Sequence, residues 1–171
     1  MSNLVTQRSQ ARGLEQSRVI ERPGAVTGFD TFYATGTWTP TLVGSAVAGT
    51  FTYDGANTFG TYSRIGNRVF LTGRVRITAI AVAPTGNLAI GGLPITSNAI
   101  SIAGGILIIG YQGITLTAGH TQLHAYIGSA ATILNLFESG SNIAFAAIQG
   151  AGLVLVAGVA DIIFEGQYTV A

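Results

Sequence analysis

The sequence predicts an all-β domain, an antiparallel sandwich or barrel, on three observations. Val69, Leu71, Gly73, Val75 and Ile77 alternate with Phe70, Thr72, Arg74 and Arg76. That period of two belongs to a strand with one buried and one open face. Gly66 and Asn67 stand just before this run, and both residue types suit a tight hairpin turn. Finally, short apolar runs follow one another to the end of the chain, separated by Gly-, Pro-, Ser- and Asn-rich breaks, the pattern of a many-stranded β fold. No sequence repeat of fixed period accompanies them.

The chain begins differently. Residues 1 to 23 hold Arg8, Arg12, Glu15, Arg18, Glu21 and Arg22, six of the fifteen Arg, Asp and Glu residues. Leu4, Ala11, Leu14 and Val19 form a thin apolar stripe at helical spacing. Charges on neighbouring turns can pair, Gly13 interrupts the pattern and Pro23-Gly24 ends it. A segment this polar is marginal as a helix alone. It predicts an extended or helical arm, residues 1–28, that orders on a neighbouring protein. The expected docking residues are Leu4, Val5, Arg8, Arg12, Leu14, Arg18, Val19 and Ile20.

Residues 24–35 read as a linker pinned by Phe29, Phe32 and Tyr33. Trp38, the sole tryptophan, is expected to cap the core at a strand start, with a sugar-stacking platform as the alternative. Residues 47–53 and 57–63 read as short strands joined at Asp54-Gly55, a turn dipeptide. Further strands are expected over 77–83, 87–90, 100–111, 114–117, 123–127, 133–137, 143–148, 153–156 and 162–170.

Charge is scarce: charged residues make up 9% of the chain, the net charge is +1 and the mean hydropathy is +0.49. Soluble domains carry about 25%. No Arg, Lys, Asp or Glu occurs between Arg76 and Glu138. A sandwich always has an outer face, so part of that face is expected to lie against sister subunits. The charge balance gives no reason to expect nucleic acid. Residues 143–164 and 99–116 are apolar, but glycines at short intervals mark them as strands rather than membrane spans. The start of the chain lacks the apolar core of a signal peptide. Cysteine is absent, which excludes disulfides and thiolate metal sites.

Candidate chemistry is thin. His120, Gln122, His124 and Tyr126 would share one face of a strand, and they are the residues expected at a subunit interface. Histidines four apart on a strand stand about 13 Å apart, too far for one metal in one chain. An ion on a symmetry axis is left as the alternative. The carboxylates form no converging pair such as glycoside hydrolysis requires. Gly86-Asn-Leu-Ala-Ile-Gly-Gly lacks the Lys-Ser/Thr ending of a phosphate loop. Catalytic residues, metals and cofactors are therefore expected to be none.

A resemblance sharpens this picture. Gly36 to Leu42 (GTWTPTL), Thr52-Tyr53, Gly60, Tyr62, Arg64-Ile65-Gly66-Asn67, Val69, Thr85-Gly86 and Gly91 to Pro94 follow in the order and spacing of a known motif. It resembles the β-domain of tailed-phage virion proteins found in tail fibres, spikes and head-decorating knobs. The matching residues span about a third of the chain. Trp38, Pro40, Tyr62, Ile65, Gly66, Asn67, Gly92, Leu93 and Pro94 would be its motif and core positions. The resemblance implies a homotrimeric virion structural protein with a jelly-roll-like antiparallel β-sandwich knob, here residues 29–171. A short arm without a long shaft points to a capsid decoration or cement protein on the head, docked on the major capsid protein. The alternative is a short tail fibre or spike, docked on tail or baseplate proteins, that binds a host surface glycan.

Overall fold

A computed structural model describes residues 33–99 and 105–171. The expected arm, with Leu4, Val5, Arg8, Arg12, Leu14, Arg18, Val19 and Ile20, lies outside the described residues, as do Phe29 and Phe32. Tyr33–Ala171 forms one compact unit.

The unit is a single antiparallel sheet of eleven strands: β1 (Tyr33–Trp38), β2 (Thr41–Gly44), β3 (Thr50–Tyr53), β4 (Phe59–Ile65), β5 (Arg68–Val82), β6 (Leu88–Gly91), β7 (Ile106–Gln112), β8 (Gln122–Ile127), β9 (Ile133–Gly140), β10 (Ile143–Ala147) and β11 (Ala160–Thr169). Its main path runs β1-β4-β5-β11-β7-β8-β9-β6-β2, with β3 on β5 and β10 on β9.

One connection dictates the shape. β1 and β2 stand at opposite ends of the nine-strand path, yet only Thr39 and Pro40 join them. Laid flat, the path would separate them by about 38 Å at the usual strand spacing. A two-residue link spans about 11 Å at most. The sheet therefore curls until its two ends meet, and the inward side chains form the core. Val69, Leu71, Val75 and Ile77 of β5 face Ile162, Phe164 and Tyr168 of β11 inside it, with Leu42, Ile90, Leu134 and Leu136 from the other end of the path. The GTWTPTL and GGLP pieces meet at this closure. Trp38 and Pro40 are buried, and Gly92, at φ +88°, backs onto the Thr39 carbonyl.

The β4–β5 hairpin forms as the sequence predicts, with Ile65 opposite Arg68 across Gly66-Asn67. Only Gly66 takes a positive φ, +60°, so glycine leads the turn and Asn67 does not need the left-handed region. The alternation of β5 is realised: Val69, Leu71, Gly73, Val75 and Ile77 are buried while Phe70 and Thr72 are exposed.

Several expectations are corrected. β1 begins at Tyr33, inside the supposed linker, and Trp38 ends a strand instead of starting one. β3 and β4 do not pair with each other. Both lie along β5, β4 on its first half and β3 on its second. Asp54-Gly55 joins them end to end, with the Asp54 carboxylate accepting from the Ala56 N–H at 3.2 Å. Residues 77–83 continue β5 rather than starting a new strand. Residues 114–117 and 153–156 are not strands; single bridges, Ile114 to Leu153 and Val156 to Val159, are all that forms there. The bonds Thr115 N–H to Gly152 O and Val154 N–H to Gly113 O tie these two loops together instead. Among the described residues no helix is long and apolar enough to cross a membrane.

Candidate interaction surface

The outer face of the curled sheet carries what remains for function. Register fixes which side chains meet there. Ile108 stands opposite His124 on one side and Glu165 on the other, and Glu165 opposite Thr72, which pairs with Thr61. The next row is Gly110, Ile163, Arg74 and Phe59. Apolar side chains dominate this area: Ile108 is 75% exposed, Phe59 54%, Ile163 52% and Phe70 44%. Two shallow grooves of about 520 and 490 Å³ run on either side of it, and Thr72, Ile108 and Glu165 line both.

Along one border the charges neutralise each other. Arg74 donates from Nε and Nη2 to the two Asp161 oxygens at 3.0 and 2.5 Å, and from Nη1 to Asn57 at 3.0 Å. Arg76 approaches Asp54 at 3.5 Å and Asp161 at 3.6 Å. The Asp161 hydrogen bonds hold the Arg74 guanidinium above its ordinary pKa. Asp54 is held below its usual range, first by the Asn57 side-chain amide and further by backbone N–H groups and Arg76.

Along the other border lies an aromatic cluster. Phe137 stacks on His124 with centroids 6.1 Å apart and meets Phe145 edge-on at 5.2 Å and Tyr126 at 6.5 Å. β8 and β9 place them, because His124 and Phe137 are directly opposite. Burial lowers the His124 pKa, because an apolar setting disfavours the charged imidazole.

The four histidine-strand residues therefore separate. Gln122, His124 and Tyr126 share the outer face of β8. His120 precedes the strand, and its side chain is only 7% exposed. Its Nδ1 lies 3.8 Å from the Glu138 carboxylate and its Nε2 3.2 Å from the Ala144 carbonyl. Glu138 is itself buried and accepts the Thr117 N–H at 2.7 Å. The sequence hides this pair. In β9, Glu138 falls on the buried set of the alternation with Leu134 and Leu136, and an acid in a buried slot was the available signal that a partner sits inside.

Of the motif positions, Trp38 and Leu93 are buried in the core, and Tyr62 packs against it. Pro94 is half-buried and Asn67 exposed. Ile65 is 47% exposed, so its place is the outer face, beside Tyr33. Trp38, 7% exposed, has no face free to stack on a sugar. Its indole N–H donates to the Thr72 carbonyl at 3.2 Å.

Asp54 and Asp161 approach each other only across the shared Arg76 guanidinium that both contact. Asp54 and Asp161 are engaged with arginines and Glu138 is buried. Glu165 and Asp161 lie four apart on β11, about 13 Å along the strand, against the roughly 5 to 10 Å that glycoside hydrolysis uses. No group of three or more His, Asp or Glu able to hold a metal occurs among the described residues.

No family model and no curated protein matches the chain. Among solved structures, the crystal structure of the Dettilon tailspike protein (gp208) is similar, with a TM-score of 0.63 at 20% identity. The likeness covers 80% of this chain and 24% of that one, so this chain spans about a quarter of the tailspike's length. At that identity the likeness is one of fold.

Proposed function

We propose that this protein is a non-catalytic structural component of a tailed-phage virion, a jelly-roll-like knob that works as a homotrimer. The observation that carries the reading is the fold likeness to a tailspike over 80% of the chain, which agrees with the motif running from Gly36 to Pro94. The charge-poor, apolar outer face supports the oligomer, since obligate interfaces resemble a core cut in half. The engagement of Asp54 and Asp161 with Arg74 and Arg76 supports a role without hydrolysis.

For placement, the likeness favours the tail, where the knob would serve in a fibre or spike that attaches the particle to its host. No feature of the described residues speaks for the head surface, which the short arm suggested. Immunogold labelling of intact virions decides between them. Label confined to the tail is the expected result. Label spread over the head makes the protein a decoration protein, and particles without label overturn the virion reading.

A further inference from the structure

We propose that the outer face of β5, β11 and β7 is the subunit interface, and that Arg68 of one copy pairs there with Glu165 of the next. The proposal rests on the oligomeric reading above and adds the surface that makes it.

This apolar face carries complementary charges. Among the described residues nearly every ionic side chain is spent. Arg74 and Arg76 are bound to Asp161 and Asp54, and Glu138 faces His120. Arg64 donates to the carbonyls of Gly66 and Ala171. Arg68 and Glu165 remain, exposed and of opposite sign, with no side-chain partner among the described residues.

Both point outward. Glu165 stands opposite Thr72, and Arg68 lies four residues before Thr72 on β5. Four residues of strand are about 13 Å, too far for an ion pair within the chain. Two copies offset along the strands bring the unlike charges together. Between the two charges and beside Glu165 lie Phe70, Ile163 and Ile108, with the grooves flanking Ile108. Protruding aliphatic and aromatic side chains next to grooves lined by the same residues allow one copy to fill the other.

The test uses the full chain in four forms: wild type, Arg68→Glu, Glu165→Arg and the double reversal, sized by native mass spectrometry and light scattering across a dilution series. The wild type is expected as a trimer. Each single reversal sets like charges together in every interface and is expected to raise the dissociation midpoint about tenfold or more. The double reversal restores opposite signs and is expected to return it to near wild type. An Ile108→Asp variant is expected as a monomer that keeps the wild-type circular dichroism.

A wild-type monomer would overturn the oligomer and this interface together. A wild-type trimer whose single reversals and Ile108→Asp stay trimeric would overturn the interface alone. So would single reversals that weaken the trimer without rescue by the double. Loss of particle or host-cell attachment by Ile108→Asp with the trimer intact would assign the face to an outside ligand, which also overturns it.

Discussion

Gly60 lies directly beneath the indole of Trp38: a Cβ there would fall on Nε1, the atom that donates to the Thr72 carbonyl. Gly60 and Trp38 are register partners on β4 and β1, and Trp38 meets Phe164 edge-on at 5.9 Å. A side chain at residue 60 must push the indole off its hydrogen bond and off Phe164. Gly60→Ala is expected to cost about 1 to 3 kcal/mol, the usual range for overpacking, measured by urea denaturation. Because Trp38 is the only tryptophan, a red shift in its emission would report the displaced ring directly. Unchanged emission with unchanged stability would show that β1 gives way without cost.

Arg74 ties β5 to β11 through Asp161, and Arg76 leans on the same carboxylate. Replacing Asp161 with Asn keeps the shape but leaves two guanidinium groups facing a neutral amide. Both sides are partly exposed, with side-chain exposures of 27% and 14% for Arg74 and Asp161, so solvent screens the pair. The loss is expected at about 1 kcal/mol, above most surface pairs because the contact is bidentate. Part of the difference should disappear at 1 M salt, provided that the pairing is electrostatic.

Glu138 anchors the loop before β8. Its carboxylate accepts the Thr117 N–H at 2.7 Å and faces His120. Glu138→Ala removes that acceptor and is expected to cost about 1 kcal/mol, the usual net worth of an intramolecular hydrogen bond. Glu138→Gln keeps an oxygen for Thr117 and should cost less. Hydrogen exchange gives a sharper reading: the Thr117 amide should lose protection in the alanine variant and keep most of it in the glutamine variant. Equal exchange in both would place the anchor elsewhere.

The local parts of this fold were legible, and the long-range parts were not. The alternation in β5 and the Gly66-Asn67 turn are set by neighbours in sequence, so they could be read there. β1 was missed because Tyr33-Ala-Thr-Gly-Thr has an outward face of Tyr and Thr and an inward face of Ala and Gly. Such a strand shows no hydrophobic contrast. Residues 114–117 and 153–156 look like strands because they are apolar, but they are loops joined by a single bridge in which only Ile114 and Leu153 are buried. The closure of the sheet followed from Thr39-Pro40 only once the strand order was known. The pairing of His120 with Glu138 likewise needed the hairpin of β8 on β9. The outer face gave its charge poverty to the sequence, but which residues form it depended on register.

His124 provides the pH dependence. Burial lowers its pKa from the ordinary value of 6.5, because Phe137 stacks on the ring at 6.1 Å and Phe145 lies at 6.3 Å, which leaves less room for water around a charged imidazole. The unfolded chain, with the ordinary value, therefore binds more protons than the folded one as the pH drops. Stability rises with pH wherever that is so. The contribution of the neutral ring is complete above about pH 6.5 and is lost as the pH falls from there through the folded value. Urea denaturation from pH 8 to pH 5 should thus show falling stability in the wild type. His124→Phe preserves the aromatic cluster but cannot take up a proton, so the difference between the two proteins isolates this group. The variant should gain on the wild type as the pH falls below about 6.5, with the gap constant above it. A gap that stays flat across the whole range would show that the imidazole is as well solvated when charged in the folded protein as in the unfolded chain.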